Sequence, residues 1–250
     1  MRILVATGNM DKLREIREIL DDARIDLVSM KEVGLSSDPE EDGSTFEENA
    51  LIKAKALAAV IPGYYGPVAC GNGNACPAGI GLEPAAQEYV SSSGLPVPKP
   101  KFDFHFDAVL SDDSGLVIDA MPEELGVHSA RFMGHDTPYR EKCDVILERL
   151  KGMPEDQRGA RFVCAAAAAF PDGSSLLARG EMEGAVAHEY KGTGGFGYDP
   201  IFFLPEYGKT AAELTEEEKN AISHRGKALR QMREMLILRL ADGTKDGQNL

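Results

Sequence analysis

The chain has 250 residues, and its 27 Lys and Arg stand against 41 Asp and Glu, which gives a formal net charge of −14 at pH 7. So acidic a surface repels a nucleic-acid backbone, and no run approaches the roughly 18 apolar residues of a membrane span. Hydrophobic and charged fractions of 43% and 27% are typical of a globular protein. The first residues lack the apolar region of a signal peptide, and we expect a cytoplasmic protein that binds neither nucleic acid nor membrane.

The first part of the chain predicts an alternation of strands and helices. A buried strand over residues 2–7 turns at Gly8-Asn9 and is followed by a helix over about 11–20 with apolar residues at helical spacing. A short strand, Ile25 to Ser29, follows. The segment Ser44-Thr-Phe-Glu47 has a capping-box pattern that predicts a helix from Thr45 to about Val60.

Residues 62–105 differ from the rest of the chain. They contain 7 Gly and 7 Pro, which is half of the 14 prolines, and they show little periodicity. A loop this long inside a compact domain is usually functional or disordered. We expect an insertion at the surface of a single domain, and a polar tail from about residue 243.

The second part predicts the rest of an α/β domain with a mixed sheet. Two short strands flank a turn, over Ala108 to Asp112 and Gly115 to Asp119, and a helix from about Pro138 to Leu150 follows. A long strand, Ala160 to Phe170, is followed by two further strands and a last helix. Those three elements cover Leu176 to Glu181, Gly184 to Tyr190, and about Ser223 to Leu240.

Two segments in the last third are the strongest candidates for a ligand site. Thr193-Gly-Gly-Phe-Gly-Tyr-Asp-Pro200 combines a backbone that a ligand can approach closely with two aromatic rings and a carboxylate. Ser223-His-Arg-Gly226 adds charge for phosphate or donors for a base carbonyl. The nucleotide-binding candidates here are Phe196, Tyr198, Asp199, Lys219, His224 and Arg225. The alternative is a tight turn that enters a strand, followed by an ordinary helix start.

The corner Thr7-Gly-Asn-Met-Asp-Lys12 is a second candidate, because it joins the first strand to the first helix. Backbone amides at a helix N-terminus attract anions, and Lys12 could reach a phosphate. The segment lacks the glycine number and the ending of a Walker A loop. Strand–turn–helix corners are also common without any ligand.

A third candidate is the adjacent pair Asp112-Asp113, which is followed by Ser114 and Gly115. Side chains alternate across a strand, so only one of the two carboxylates can readily enter a cleft. Such oxygens suit Mg²⁺, and a carboxylate near the metal can deprotonate water. The alternative is a solvated turn. Possible partners are the acidic loop at residues 38–42 and the helical pair Asn49 and Lys53, which lie four apart.

Together these segments resemble the inosine/xanthosine triphosphatase (Ham1-like) family of non-canonical purine nucleoside triphosphate pyrophosphatases. The matching pieces occur in family order. They are Ala6-Thr-Gly-Asn9 with Lys12, Glu40-Glu-Asp-Gly-Ser-Thr-Phe-Glu-Glu-Asn-Ala50, Ser111-Asp-Asp-Ser-Gly-Leu116, Ser129-Ala-Arg-Phe132, Gly194-Gly-Phe-Gly-Tyr-Asp-Pro-Ile-Phe202, and Lys209-Thr-Ala-Ala-Glu-Leu214 through Lys219 to Ser223-His-Arg-Gly226.

The resemblance implies an elongated α/β fold with a long mixed sheet, two lobes around a cleft, and a homodimer. It also implies Mg²⁺-dependent cleavage of ITP, dITP or XTP to the monophosphate and pyrophosphate. By position, Asp113 would be the catalytic carboxylate and a metal ligand, with Glu40 or Glu41 completing the metal site. The residues implied to hold the substrate are Thr7, Gly8, Asn9, Met10, Asp11, Lys12 and Lys53 at the phosphates, Ser114, and Phe196, Gly197, Tyr198, Asp199, Lys219, His224 and Arg225 at the base and ribose.

The chain departs from the family pattern in two places. The 62–105 insertion lies where a short link is expected, and His128 lies where a tyrosine is usual. Two other functions stay open at the level of sequence. One is an enzyme of similar fold that acts on standard nucleotides or on phosphorylated metabolites, and the other is a catalytically silent nucleotide-binding protein.

Overall fold

The computed structural model describes residues 1–61, 63–65 and 105–246. The predicted insertion therefore lies almost wholly outside the described residues, as do the last four residues of the predicted tail. Described strands are β1 Arg2–Val5, β2 Asp26–Ser29, β3 Ala108–Ile118, β4 Gly159–Ala169, β5 Ser175–Val186, β6 Phe202–Leu204 and β7 Lys209–Thr210. Described helices are α1 Met10–Ile19, α2 Phe46–Val60, α3 Tyr139–Arg149, α4 Glu216–Ile222 and α5 His224–Asp246.

The described strands form one mixed sheet in the order β2-β1-β3-β4-β5-β6-β7. Strand β1 is parallel to both of its neighbours, and the pairs from β3 to β7 are antiparallel. The predicted α/β class with a mixed sheet and flanking helices is therefore confirmed. No helix of the described part has the length and hydropathy that a membrane span requires.

Strands β1 and β3 differ in length, and this difference creates an opening in the sheet. Strand β1 pairs with β3 only from Ile3↔Ala108 to Val5↔Leu110, and one further bond runs from the Ala6 amide to the Leu110 carbonyl. Beyond that point β3 continues to Ile118, paired with β4 on its other side only. The edge of β3 that begins at Ser111 thus faces a space that β1 has left.

Helices cover both faces of the sheet on either side of a run of alanines in β4. Ala166 and Ala168 pack against the α1 and α5 side, with Ile16 and Leu229. Ala165 and Ala167 pack against α2 on the opposite face, next to Leu57 and others. Because successive side chains of a strand point to opposite faces, this run of small residues lets helices approach from both sides.

A third buried cluster lies at the other end of the sheet. It joins Ile118 of β3 and Phe162 of β4 to Ile146 of α3 and Phe202 of β6. Close backbone approach also fixes the start of α5, because a Cβ on Gly180 of β5 would lie 2.2 Å from the His224 carbonyl oxygen. The first turn of α5 is therefore held directly on the sheet.

Three local predictions were wrong. Strand β3 is continuous, although a turn was expected after Asp112. Strand β4 pairs with it from Val109 to Ile118, and this backbone pairing continues through the two aspartates. Strand β5 is likewise one strand, paired with β4 along its length. The capping box at α2 uses Thr45 and Glu48, one residue later than predicted.

Candidate active site

The space beside β3 is a cavity of about 480 Å³, within the range of small-molecule sites. Its wall combines the β1–α1 corner, the α2 side of the sheet, α3, the glycine-rich segment and the start of α5. Of the predicted site residues, those that line the cavity are Thr7, Gly8, Asn9, Lys12, Glu41, Lys53, Asp113, Ser114, Phe196, Gly197, Tyr198, Asp199, Lys219, His224 and Arg225. The tertiary fold therefore brings together motifs that are up to 218 positions apart, from Thr7 to Arg225.

The lining of the cavity does not include three of the predicted site residues, Met10, Asp11 and Glu40. Met10 is 61% exposed, and neither it nor Asp11 lines the cavity. Glu40 is exposed and does not line the cavity, whereas Glu41 does. His128, at the position where the sequence departs from the family pattern, is exposed and also lies outside the cavity wall.

Asp113 lies at the centre of a charged cluster on the α2 face of the sheet. Lys53 Nζ is 2.8 Å from Asp113 Oδ1 and 3.2 Å from Glu41 Oε2. Asn49 Nδ2 donates to Asp113 Oδ2 at 3.4 Å. Burial raises the pKa of Asp113, against the opposing charge of Lys53. A buried carboxylate with a raised pKa is suited to accept a proton.

The donor set at Asp113 and Glu41 fits a divalent cation that takes most of its ligands from elsewhere. Both side chains offer hard carboxylate oxygens, and both already converge on one positive charge, the Lys53 ammonium. No group of three His, Cys, Asp or Glu side chains that could hold a metal exists within the described ranges. Mg²⁺ typically uses one or two carboxylates together with substrate phosphates and water, so two converging carboxylates are sufficient.

Asp112 points to the opposite face of β3 from Asp113. Its Oδ2 lies 3.2 Å from Lys12 Nζ and 3.2 Å from both Arg225 Nε and Arg225 Nη2. Ser114 Oγ donates to the same oxygen at 3.1 Å. Burial alone would raise the pKa of Asp112, but the charges of Lys12 and Arg225 hold that pKa well below its usual range. Asp112 is therefore an ionised, buried counter-charge.

The glycine-rich segment is shaped around Asp199. Gly195 and Gly197 have φ of +66° and +65°, and a Cβ on Gly195 would lie 2.1 Å from Asp199 Oδ2. That oxygen accepts from the Phe196 amide at 2.8 Å and from Lys219 Nζ at 2.7 Å. The Asp199 carboxylate thus holds the backbone turn that presents Phe196, and glycine is required where it does so.

The two aromatic residues of this segment have different surroundings. The Phe196 ring has Lys219 Nζ at 4.8 Å and the Arg225 guanidinium at 5.6 Å from its centroid. Tyr198 is only 3% exposed, its hydroxyl donates to the Ser129 carbonyl at 2.6 Å, and its ring packs edge-on against Tyr139. Phe196 is therefore the ring that remains available to a ligand in the cavity, and Tyr198 mainly anchors the segment.

His224 is the first residue of α5 and is buried against the ring of Phe162. The two rings are stacked at 4.8 Å with an interplanar angle of 14°. Within the described part of the chain, His224 Nδ1 has no hydrogen-bond partner. Burial, together with the neighbouring charge of Arg225, lowers the pKa of His224 well below its ordinary value. The imidazole is thus neutral and retains an unused polar atom.

The β1–α1 corner of the cavity is organised by Asn9. Its Oδ1 accepts from the Asp11 amide at 2.9 Å and the Lys12 amide at 3.2 Å, which makes Asn9 the N-cap of α1. The cap directs Lys12 into the cavity, with its Nζ on Asp112. Asp11 contributes its backbone amide to this cap, and its side chain does not line the cavity.

Sequence reasoning missed Glu15 and Phe162. Glu15 is 7% exposed, with Oε2 2.5 Å from Arg225 Nη1 and Oε1 3.3 Å from Lys219 Nζ. Its spacing of three residues from Lys12 places both on one face of α1, which is the signal that could have found it. Phe162 lines the cavity from inside an apolar strand, where no local pattern distinguishes it from the core.

Comparison with known proteins gives a consistent result. The model of the Ham1 family matches residues 3–68 and 85–235. The dITP/XTP pyrophosphatase of Exiguobacterium sibiricum is 40% identical over 97% of this chain and 100% of that protein, and the dITP/XTP pyrophosphatase of Escherichia coli K12 is 38% identical over 94% and 98%. A solved HAM1 protein from Coxiella burnetii matches with a TM-score of 0.69 and 34% identity over 95% of this chain and 98% of that chain.

Proposed function

Because the chain belongs to the Ham1 family, we propose that it hydrolyses the non-canonical purine nucleoside triphosphates ITP, dITP and XTP to the monophosphate and pyrophosphate. The enzyme is a hydrolase that acts on an acid anhydride and removes these nucleotides from the pool. The observation that carries the proposal is that one cavity joins the cluster of Asp113, Lys53 and Glu41 to the cluster of Phe196 and His224. The first suits a polyphosphate, and the second suits a base.

At the phosphate end, Lys12 and Lys53 line the cavity with ammonium groups that can offset triphosphate charge. Thr7, Gly8 and Asn9 form the adjoining wall, where glycine allows a phosphate close to the backbone. We assign Met10 and Asp11 no contact of their own, since neither lines the cavity. Ser114, whose Oγ accepts from Arg225 Nη2 at 2.7 Å, lies between the phosphate and base ends.

In the reaction, Asp113 accepts a proton from the attacking water. A new bond forms between the water oxygen and the α-phosphorus while the bond from that phosphorus to the bridging oxygen breaks, and pyrophosphate leaves. Phosphoryl chemistry of this kind depends on positioning and charge neutralisation more than on a covalent nucleophile. Lys53 supplies positive charge next to Asp113 and keeps it oriented, at 2.8 Å.

We propose Asp113 and Glu41 as the side chains that hold a divalent cation, and Mg²⁺ as that cation. When bound, it would offset triphosphate charge and lower the pKa of a coordinated water. Glu41 is favoured over Glu40 because it lines the cavity and contacts Lys53. The Glu41 backbone is tied to the site as well, since Arg131 Nη2 donates to its carbonyl at 3.1 Å.

At the base end, Phe196 offers a ring face, and neutral His224 and Arg225 offer N–H donors. Donors placed at position 6 of a purine pair with the keto oxygen of hypoxanthine or xanthine. The amino group of adenine would leave them unpaired, and unpaired buried polar groups discriminate strongly. Asp199 and Lys219 contribute by holding the segment that presents Phe196.

The test is pyrophosphate release from dITP, XTP, ATP and GTP at matched concentrations, with and without Mg²⁺. Metal-dependent release from dITP and XTP, with ATP and GTP slow, is the expected result. Equal turnover of all four would refute the selectivity, and orthophosphate as product would indicate a phosphatase. Binding of dITP without turnover would identify a silent binding protein.

We further propose a cytoplasmic homodimer, on the basis of the family resemblance. Sedimentation at micromolar concentration measures the assembly directly. The mass of a single chain at micromolar concentrations would refute the dimer.

A further inference from the structure

We propose that Asp112 is a positioning residue that sets the phosphate-end lysine, Lys12, and the base-end arginine, Arg225, in one fixed arrangement. The inference deepens the proposed function and rests on it. It concerns the neighbour of the catalytic Asp113, for which that function assigns no role. Through Asp112, the group that holds the triphosphate and the group that recognises the base share one counter-charge.

The contacts are concentrated on a single oxygen. Asp112 Oδ2 is 3.2 Å from Lys12 Nζ, and it also receives Arg225 Nε and Nη2, each at 3.2 Å. Exposure of the Asp112 and Arg225 side chains is 1% and 2%, and that of Lys12 is 18%. Two cations therefore approach each other in a poorly solvated space, and the carboxylate between them offsets their repulsion.

The arrangement is not one that stability alone would favour. Asp112 Oδ1 is buried and has no hydrogen-bond partner among the described residues. A buried, half-satisfied carboxylate carries a desolvation penalty, and apolar replacements of buried ion pairs are often neutral or stabilising. Violations of this kind are expected at functional sites. The carboxylate is thus better explained by the cations it arranges than by the stability it adds.

The strand geometry gives the two aspartates different faces of the sheet and different partners. Asp113 and Ser111 face α2, where they contact Lys53 and the Ala50 carbonyl. Asp112 faces α1 and α5, where its cations come from two different helices. Neighbouring side chains on β3 must point to opposite faces. Asp113 therefore faces the reacting phosphate, and Asp112 aligns the cations that hold the substrate.

The experiment compares Asp112→Asn with wild type in two readouts. The first is binding of tripolyphosphate, which has no base, and the second is the ratio of kcat/KM for dITP over dATP. We expect Asp112→Asn to weaken tripolyphosphate binding and to lower the ratio, each by ~10-fold, because both cations lose their shared partner. Lys12→Met should act mainly on the first readout and Arg225→Lys mainly on the second, each with a smaller effect on the other because the two cations share Asp112.

The matched control is Asp119→Asn, which removes a carboxylate just beyond the same strand that pairs with Arg161 at 3.0 Å in an exposed position. It should change neither readout. If Asp112→Asn lowers the Tm but leaves both readouts at wild-type values, Asp112 has a structural role only and the inference is wrong. If wild type releases no pyrophosphate from dITP, the proposed function fails and the inference fails with it.

A second measurement avoids substituting Asp112, in case that variant does not fold. Lys12→Met and Arg225→Lys are combined, and kcat/KM for dITP is compared with the product of the single effects. Residues coupled through one carboxylate should depart from additivity by ~5-fold or more. Additivity within ~2-fold would overturn the inference.

Discussion

Lys53 Nζ lies 2.8 Å from Asp113 Oδ1, although the two residues are 60 positions apart in the chain. The contact joins the middle of α2 to the open edge of β3. It brings a cation to a buried carboxylate at the place where β1 has ended and the cavity lies. The proton transfer that we propose depends on this contact.

Asp113→Asn should abolish turnover while the protein remains folded. The change is nearly isosteric, but it removes the proposed proton acceptor and the charge opposite Lys53, so a loss of ~10²–10⁴-fold in kcat is expected. Circular dichroism and pyrophosphate release measure fold and activity on the same sample. Asp119→Asn provides the matched neutralisation away from the cavity. Wild-type kcat in Asp113→Asn would mean that another group is the base.

Glu41→Gln and Glu40→Gln form a matched pair of adjacent substitutions. Glu41 contacts Lys53 and lines the cavity, whereas Glu40 does neither. We expect Glu41→Gln to raise the Mg²⁺ concentration for half-maximal activity by ~10-fold or more, and Glu40→Gln to leave it unchanged. Mg²⁺ binding to the protein, measured by calorimetry with a non-hydrolysable analogue, gives a readout independent of turnover. A larger effect from Glu40→Gln would exchange the two assignments.

Gly195→Ala should reduce dITP turnover beyond what backbone strain explains. A methyl group there meets Asp199 Oδ2, which holds the turn that carries Phe196. Gly173→Ala is the control, because Gly173 also has a positive φ, of +83°, but has no atom within 4 Å of an added Cβ. The positive φ alone should cost each variant ~1 kcal/mol of unfolding free energy, Gly195→Ala should lose more because of the contact with Asp199, and only Gly195→Ala should lose kcat/KM. Equal kinetic effects would refute the role of Asp199 in shaping the turn.

His224 should make the native state less stable in acid. Its folded-state pKa is depressed, so below an unfolded pKa of about 6.5 the unfolded chain takes up a proton that the native chain does not. The unfolding free energy therefore rises with pH up to that value, so the native state should be more stable at about pH 7.5 than at about pH 5. Urea unfolding of wild type and His224→Gln at the two values tests this. The variant should lose less stability in acid, and an equal loss would show that His224 is not buried in neutral form.

The residue types of the site could be named from the sequence, because each lies in a short motif whose local geometry is self-contained. Asn9 caps its own helix, and the glycines of the 194–197 turn adopt left-handed φ at Gly195 and Gly197. Interactions of this kind depend on neighbours within four residues. The α/β class follows in the same way from local periodicity.

Only the tertiary structure decided which partners two similar neighbours have. The family resemblance pointed to Asp113, but it is the alternation of β3 between α5 and α2 that gives Asp112 and Asp113 different partners. Glu40 and Glu41 differ in the same way, through contact with Lys53. The spacing of Glu15 could place it on the Lys12 face of α1, but its pairing with Arg225, 210 positions away, could not be predicted from the sequence. Charge pairing acts through space, so its partners are set by packing and are absent from any local pattern.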